Sequence, residues 1–283
     1  MDKKQQILKA ENFLALHHDQ RLLILPNIWD PLGARLLQHM GYPAAATASA
    51  AVAYSLGYDD GQKITLGAML ETIHRVAAAV DIPVTADIEA GFAESPADVA
   101  ENIRQVLRAG AVGINFEDSD PTTGQLYPID FQCDRLKAVR AMADQEGIPL
   151  VINARIDVFI SGFGTSMAER MAEAVTRGKA YVEAGADCLY PIVLGDLDAL
   201  SRIQSATASP LNVYGPSATA SLRELEAAGI SRVSLGPGIM KVVLKTMQQL
   251  FEQLQGYGSI DLSASKAMAS EEILAFVSQD NMT

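Results

Sequence analysis

Short apolar runs alternate with longer amphipathic stretches along the chain from about residue 22 onward. Strands that are covered on both faces carry continuous apolar runs, so we expect these runs to be parallel β-strands. There are eight of them, at Leu22–Pro26, Ala44–Ala48, Pro83–Asp87, Val112–Phe116, Pro149–Ala154, Ala186–Pro191, Pro210–Tyr214 and Arg232–Leu235. Eight strand–helix units in one chain favour a closed (β/α)8 barrel, the TIM barrel, over an open doubly wound sheet.

Helix-capping residues support this division of the chain. Ser95 precedes Pro96, which suits a capping serine followed by proline at the first helical position. Ser166 and Ser221 each have a glutamate three residues later, the spacing of a capping box. Glycines that would end helices come before the next strand at Gly41, Gly110, Gly147, Gly185 and Gly229.

The ends of the chain add helices to the barrel. We predict a helix over about residues 4–18 that covers the bottom of the barrel, and a helical extension over about 256–283 that includes Ser270–Val277. No linker or low-complexity segment separates the strand–helix units, so residues 1–283 are predicted to form one barrel domain.

Composition narrows the class of protein. The net charge of −12 disfavours nucleic acid and anionic membranes as partners, because both carry negative charge themselves. Cys133 and Cys188 form neither a disulfide framework nor a metal-ligand cluster, which favours a reducing compartment. The N-terminus lacks a signal-peptide pattern and no stretch is long enough to span a bilayer, so we expect a cytoplasmic protein.

Acidic residues follow two neighbouring predicted strands. Asp87 and Glu89 end the third strand and Glu117 ends the fourth, at the edge of a barrel where active sites lie. Such carboxylates repel one another unless a divalent cation joins them, and an all-oxygen ligand set suits Mg2+, with Mn2+ as an alternative. Arg155 follows the fifth strand and is predicted to clamp a substrate carboxylate in bidentate fashion.

Plainer interpretations stay open for single residues. Any one of the acids could cap the helix that follows it, and Asp59-Asp60-Gly61 by itself fits a turn. Gly236-Pro237-Gly238 resembles a phosphate cradle but fits a helix-entry turn better. The histidines fall in predicted helices or the N-terminal segment and the lysines in helices or loops, so a His-ligated zinc site and a Schiff-base lysine are both disfavoured.

Five segments together resemble the isocitrate lyase/phosphoenolpyruvate mutase family, from about Leu8 to Leu250. They are Pro26-Asn27-Ile28-Trp29-Asp30 with Ala34-Arg35, Ser55 to Gly61, Ala86 to Phe92, Gly113 to Asp118, and Asn153 to Asp157. The resemblance implies Mg2+ held by Asp87, with Glu89 and Glu117 binding it directly or through water. It also implies that Asp60 contacts the metal's water shell or the substrate.

The same resemblance implies roles for the substrate-binding residues and for assembly. Arg155 would bind a substrate carboxylate, and backbone groups of Ser49, Ala50 and Ala51 would hold its oxygens. Asn212 would match an asparagine of the seventh strand. Family members exchange the last barrel helix between subunits, which implies a homodimer or homotetramer.

One loop departs from the family. Isocitrate and methylisocitrate lyases carry a lysine-lysine-cysteine-glycine-histidine motif after the fourth strand, and the phosphonate-acting members carry a lysine and an asparagine there. Residues 119–128 contain no lysine, cysteine, histidine or asparagine. The lyases' glutamate at the end of the sixth strand is also missing, because Tyr190-Pro191-Ile192 occupies that stretch.

These residues lead to three hypotheses. The first is a Mg2+-dependent lyase that cleaves a C–C bond of a small 2-oxo or 2-hydroxy (di)carboxylate through a metal-stabilised enolate, with Glu117, Asp60 and Arg155 as catalytic residues. Tyr127, Tyr190 or a water would then supply the proton. The second is a P–C mutase or hydrolase acting on a phosphonopyruvate-like substrate, and the third is a barrel that binds 2-oxo acids without turnover.

Overall fold

A computed structural model describes residues 2–258 and 267–277. Parallel strand segments run through it, and every pair that forms hydrogen bonds is parallel. They are β1 (Leu23–Leu25), β2 (Asn27–Ile28), β3 (Ala45–Thr47), β4 (Val84–Asp87), β5 (Gly113–Glu117), β6 (Val151–Ile156), β7 (Cys188–Pro191), β8 (Asn212–Tyr214) and β9 (Arg232–Ser234).

The strands close into a barrel. Segments β2 to β7 pair in chain order, and β1 pairs with β9, which pairs with β8. A parallel bridge between Leu189 and Leu211 joins β7 to β8. Segments β1 and β2 form one barrel strand that is interrupted at Pro26, because proline has no N–H to donate to a sheet. The eight-stranded parallel barrel predicted from the sequence is confirmed, and its first strand runs on to Ile28 rather than ending at Pro26.

The helices follow the strands in alternation. They are α1 (Lys3–Leu16), α2 (Pro31–His39), α3 (Ser49–Ser55), α4 (Leu66–Ala78), α5 (Pro96–Arg108), α6 (Ile129–Glu146), α7 (Met167–Glu183), α8 (Leu197–Thr207), α9 (Leu222–Ala227), α10 (Gly238–Gln255) and α11 (Ser270–Val277). The serine cap of α5 and the capping boxes of α7 and α9 form as predicted. The sequence pattern missed α3, a seven-residue helix that follows β3. None of the helices within the described ranges is long and apolar enough to cross a bilayer.

Helix α1 covers the amino-terminal ends of the strands. The Gln6 side chain donates to the carbonyls of Leu107 and Ala111, and Phe13 is fully buried. A Cβ atom on Gly113, the first residue of β5, would lie 2.6 Å from the Phe13 ring, so glycine is required at this contact. One end of the barrel is thereby closed, and the carboxyl ends of the strands are left as the accessible end.

A layer of polar side chains crosses the barrel interior. Asn115 Oδ1 accepts hydrogen bonds from Asn153 Nδ2 at 2.8 Å and from Arg232 Nη2 at 3.0 Å. His17, at the end of α1, lies 3.5 Å from Arg232, and burial together with this arginine lowers the pKa of His17 to about 3. His17 is therefore neutral at ordinary pH, and its Nδ1 donates to the Phe13 carbonyl.

Helices α10 and α11, which follow the last strand, are almost fully exposed. Of α10 only Met240 is buried, and apolar side chains along it face outward. Helix α11 packs on α2, where Phe276 contacts the ring of His39. The remainder of the predicted C-terminal extension, residues 259–266 and 278–283, lies outside the described residues.

Candidate active site

The predicted metal-ligating residues lie at the carboxyl ends of β4 and β5. Asp87 is the last residue of β4, Glu89 follows two residues later, and Glu117 is the last residue of β5. Asp60 joins them from the turn after α3, on the rim of the same opening. In the β5–β6 register Glu117 lies opposite Arg155, so one strand pair presents an acid and a base side by side.

Asp87 is fixed on one oxygen. Its Oδ2 accepts hydrogen bonds from the Ser49 backbone N–H at 3.0 Å and from the Ser49 hydroxyl at 2.9 Å. The hydroxyl of Thr47 accepts from the Asp87 backbone N–H at 3.0 Å. The described residues thus orient the Asp87 carboxylate through Oδ2 and leave Oδ1 for another ligand.

Glu89 lies on a strained backbone. Its φ angle is +51°, a left-handed conformation that is unusual for residues other than glycine and is often found at functional sites. Its Oε2 accepts from the Gln62 backbone N–H at 2.6 Å. The guanidinium of the buried Arg135 bonds to the carbonyls of Ala90 and Ala93 and so holds the segment that follows Glu89 in place.

The electrostatics of these acids favour a cation. Burial, and then the charges of Asp87 and Asp60, raise the pKa of Glu89 to about 8. Burial and Asp87 also raise the pKa of Asp60. Burial raises the pKa of Glu117 well above its usual range, although Arg155 acts in the opposite direction. Carboxylates in this state gain stability from a bound divalent cation.

The oxygen donors fit a magnesium ion that keeps much of its water. Within residues 2–258 and 267–277, no three His, Cys, Asp or Glu side chains come close enough to form a metal cage by themselves. Mg2+ characteristically binds one or two carboxylates and retains several waters. Asp87 could therefore bind the ion directly, with Glu89, Glu117 and Asp60 contacting its waters.

Arg155 is already paired on one side. Its Nε and Nη2 bond to the two oxygens of Asp157 at 2.6 and 3.0 Å, and its Nη1 lies 2.5 Å from Glu117 Oε2. The fork that Nε forms with Nη2 is thus taken up by Asp157, a pairing that was not predicted from the sequence. Three of the five guanidinium N–H groups are used, which leaves one each on Nη1 and Nη2 for a substrate carboxylate.

A buried network supports Arg155 from behind. Asp118 is fully buried, and its Oδ1 accepts the backbone N–H of Asp157 at 2.8 Å. Its Oδ2 accepts from Tyr181 at 2.7 Å and from Arg177 at 3.0 Å, both on α7. The network holds Asp157 in position, and Asp157 in turn orients Arg155.

Two cavities open at this end of the barrel and share Ser49, Asp60 and Arg155. The inner cavity has a volume of about 200 Å³. It is lined by Asn27, Ala48, Ser49, Ala50, Asp60, Asp87, Asn115, Arg155, Tyr190, Ile192, Val193, Tyr214, Ser234, Gly236 and Pro237. The outer cavity, of about 290 Å³, reaches Glu89, Glu117 and Asp157. Together they provide room for a small acid between the carboxylates and the arginine.

The predicted substrate-binding residues divide into two groups. Ser49 and Ala50 line the inner cavity, whereas Ala51 is buried behind them in α3. Asn212 is fully buried beneath Ser234, whose hydroxyl donates to Asn212 Oδ1 at 3.1 Å. Asn212 therefore lies under the cavity rather than among its lining residues, and its Nδ2 has no hydrogen-bond partner.

The turn at Gly236 does not cradle a phosphate. The backbone N–H groups of Leu235 and Gly236 both donate to Asn27 Oδ1 at 2.8 Å. A phosphate would need those donors free. Asn27 thus joins the two ends of the barrel sheet, and the helix-entry interpretation of this turn agrees with the structure.

The two tyrosines considered as proton donors lie in different places. The ring of Tyr127 packs over the Arg135 guanidinium at 4.6 Å and against Phe131, outside both cavities. Tyr190, at the end of β7, lines the inner cavity. The loop after β5, which precedes Tyr127, folds back on itself through an antiparallel bridge between Ser119 and Leu126.

Several residues of the site were missed in the sequence. Arg135, Asp118 and Arg177 act through partners that are 39 to 63 residues away in the chain. Asp157 belongs to the segment that contains Arg155, but the sequence pattern assigns it no role of its own. Its spacing of two residues from Arg155, on the same face of an extended segment, was the one local signal that could have revealed the pair.

Comparison with known proteins places the barrel in a family. The family model described as phosphoenolpyruvate phosphomutase matches residues 13–255. The 2-methylisocitrate lyase of Aeropyrum pernix is 25% identical over 84% of this chain and 77% of its own.

Two solved structures extend the likeness to nearly the whole chain. A candidate lyase/mutase from Burkholderia cenocepacia J2315 is 33% identical, covers 96% of each chain and superimposes with a TM-score of 0.88. A phosphonopyruvate hydrolase in complex with oxalate and Mg2+ is 25% identical over 97% of this chain and 96% of its own, with a TM-score of 0.81. The chain belongs to the isocitrate lyase/phosphoenolpyruvate mutase superfamily and is an enzyme of that family.

Proposed function

We propose that the protein is a Mg2+-dependent lyase that cleaves a C–C bond in a small 2-oxo or 2-hydroxy acid. The observation that carries this proposal is the convergence of Asp60, Asp87, Glu89 and Glu117 with Arg155 around two connected cavities. An electron-rich oxygen of the substrate and its carboxylate can both be held there, which is what formation of an enolate requires.

Asp87 is proposed as the direct ligand of the ion, with Glu89 and Glu117 bound directly or through water and Asp60 beside its water shell. Mg2+ in this position would supply positive charge that stabilises the enolate. Mn2+ presents the same coordination chemistry and would substitute for it. Support comes from the raised pKa values of Glu89 and Asp60, which are caused by burial and then by the charge of Asp87.

Arg155 is proposed to bind the substrate carboxylate through its two remaining N–H groups. Asp157 orients the guanidinium, so that little side-chain entropy is lost when the substrate binds. The backbone of Ser49 and Ala50, at the start of α3, would lie along the oxygens on the opposite side of the inner cavity.

Tyr190 is proposed as the proton donor in place of the missing loop thiol. Its hydroxyl group belongs to a residue that lines the inner cavity, whereas Tyr127 packs against Arg135. Burial raises the pKa of Tyr190 above its usual range, so the phenol keeps its proton until an enolate forms next to it.

Substitution of the ligand provides the test. Asp87→Ala should reduce turnover at least about a thousandfold, because a direct metal ligand is lost. Asp134→Ala is the matched control, since Asp134 is an exposed acid on the outer face of α6 with a loose contact to Lys137. Turnover is measured on a panel of 2-oxo and 2-hydroxy acids with and without Mg2+. Metal-dependent turnover that survives in Asp87→Ala would refute the assignment.

A P–C mutase or hydrolase is the second candidate, and the likeness to the phosphonopyruvate hydrolase structure favours it. The panel therefore includes phosphonopyruvate. A hydrolase would release phosphate and pyruvate from it, whereas a mutase would form phosphoenolpyruvate without free phosphate, so all three products are measured. Oxalate and Mg2+ binding without turnover of any substrate would instead support a barrel that binds 2-oxo acids without catalysis.

The protein is proposed to form a homodimer or homotetramer in the cytoplasm through α10. Outward-facing Val242, Leu244 and Phe251 are 67%, 47% and 55% exposed, an apolar surface that a second subunit would cover. Exchange of α10 between subunits would account for the exposure of these side chains. Light scattering of the native protein and of Phe251→Glu tests this assembly.

A further inference from the structure

The inner cavity carries charge on one side and none on the other. Asp87 and Arg155 lie on the side formed by the ends of β4 and β6, and Asp60 joins them from the turn after α3. The opposite side follows β7, β8 and β9, and its cavity-lining residues are uncharged: Tyr190, Ile192, Val193, Tyr214, Ser234, Gly236 and Pro237. We refer to Ile192, Val193 and Tyr214 as the uncharged wall.

The uncharged wall is held in a fixed conformation. Val193 has a φ angle of +58°, which is rare for a β-branched residue because its side chain crowds the backbone. Such a conformation persists only where the surroundings impose it. Here Gly195 approaches the turn after β8 so closely that a Cβ atom would lie 1.6 Å from the Ser217 carbonyl oxygen.

Hydrogen bonds lock the same loop to its neighbours. The N–H and hydroxyl of Thr219 both donate to the Gly195 carbonyl, at 3.2 and 3.0 Å. The Ile192 N–H donates to Ile156 of β6 at 3.3 Å. Tyr214 is limited from behind by Gly236, where a Cβ atom would lie 3.0 Å from its ring. The uncharged wall is therefore a conformationally constrained surface rather than a flexible loop.

Positive charge is scarce around both cavities. Arg155 is the one cationic residue among those that line them in the described part of the chain, and it already contacts Glu117 and Asp157. Arg232 lies below the cavity and is fully buried, with its guanidinium bonded to Asn115 and Ser234. A second carboxylate placed against the uncharged wall would find no cation, and burying an unpaired charge is strongly unfavourable.

We propose that the uncharged wall selects a substrate whose second substituent is uncharged and mainly apolar. The substrate class is then a 2-oxo monocarboxylic acid with a hydroxyl group and an alkyl substituent at C4, and dicarboxylates are discriminated against. Cleavage of the C3–C4 bond would release an aldehyde as the C4 hydroxyl gives its proton to Asp60, and the electron pair left on C3 as the enolate would be protonated by Tyr190. The proposal rests on the proposed function, since it presupposes that the metal and Arg155 hold the 2-oxo acid end. Within that function it decides between the monocarboxylates and dicarboxylates that the sequence left open.

The test compares two probes of the same shape. Calorimetry with the full-length protein and Mg2+ measures the binding of 2-oxoglutarate and of its isostere in which an isopropyl group replaces the distal carboxylate. We expect the isostere to bind at least about tenfold more tightly. Oxalate, which is too short to reach the uncharged wall, is measured in parallel and reports on the metal and Arg155 alone.

A charge placed in the wall should reverse the preference. Val193→Arg should bind 2-oxoglutarate at least about tenfold more tightly than the native protein does, because it supplies the missing cation. Val193→Met is the matched control with a long but uncharged side chain, and it should keep the native preference. Thermal melting of each variant verifies that it is folded, and neither replacement adds a β-branch at the strained position.

The outcomes separate the two proposals. Preference for the isostere together with reversal in Val193→Arg supports the uncharged wall. Oxalate binding combined with equal or tighter binding of 2-oxoglutarate, or with binding of neither probe, overturns the inference and leaves the proposed function standing. Failure of oxalate to bind in the presence of Mg2+ overturns the proposed function and the inference with it.

Discussion

Glu117 and Asp118 are adjacent in the sequence but have opposite surroundings. Glu117 faces the barrel mouth, where four carboxylates of the candidate site share Arg155. Asp118 faces the layer between strands and helices, where Arg177, Tyr181 and a backbone N–H satisfy its oxygens. Successive residues of an extended segment point to opposite sides. Glu117 therefore lies where a cation is needed to balance the carboxylates, whereas the next residue, Asp118, already has hydrogen-bond partners for both oxygens.

The comparison shows how the same residue type can act on stability in two directions. Acids at the mouth repel one another and lower the stability of the folded protein until a cation binds. Asp118 neutralises a buried arginine, and its removal would leave that charge without a partner. Function and stability are thereby divided between the two sides of one strand.

The largest effect on stability is expected behind the mouth. Asp118→Ala should lower the free energy of unfolding by about 3–5 kcal/mol, because the buried Arg177 loses its carboxylate partner. Urea denaturation measures the change, and the exposed Asp134→Ala should change it by less than about 0.5 kcal/mol. A loss below about 1 kcal/mol for Asp118→Ala would show that Asp118 is not the structural acid that we describe.

Metal binding should involve only the acids at the barrel mouth. Its effect on the free energy of unfolding should be somewhat smaller than that of Asp118→Ala. At a concentration about 100 times its dissociation constant, Mg2+ should stabilise the native protein by about 2.7 kcal/mol, since it binds the folded state preferentially. Differential scanning fluorimetry with Mg2+ and then with EDTA measures the shift in melting temperature. Mg2+ should still raise the melting temperature of Asp118→Asn but not that of Asp87→Ala. Equal shifts in both variants would contradict the assignment of metal binding to the mouth and of structural support to Asp118.

The smallest effect concerns the pH dependence of the metal-free protein. Because the folded state raises the pKa of Glu89 from 4.5 to about 8, its contribution to stability is complete below pH 4.5 and is lost as the pH rises through 8. In EDTA, Glu89→Gln should therefore be more stable than the native protein at pH 9, by roughly 2 kcal/mol, with the difference shrinking towards pH 5. If the unfolding free energies of Glu89→Gln and the native protein differed by the same amount from pH 5 to pH 9, the result would argue against charge repulsion among the acids at the mouth.

The parts of the fold that depend on local pattern were readable from the sequence. Continuous apolar runs predicted the eight barrel strands, and Ser95, Ser166 and Ser221 predicted three helix starts, because capping is decided within one turn. The position of Asp87, Glu89 and Glu117 at strand ends was enough to place them at the same end of the barrel, since all parallel strands of a barrel end at the same edge. Asn212 shows the limit of this reasoning, because a strand residue can lie at the right height and still be covered by a neighbour such as Ser234.

The sequence by itself determined a barrel of eight parallel strands, an acidic mouth with one arginine, and a loop without the family's lysine, cysteine or histidine. Only the tertiary structure decided that Asp157 occupies one side of Arg155, that Tyr190 rather than Tyr127 lines the inner cavity, and that the wall opposite the acids is uncharged. These contacts join residues on different strands and helices. No local pattern encodes them, because they depend on how the barrel closes and on which side chains its interior has room to accommodate.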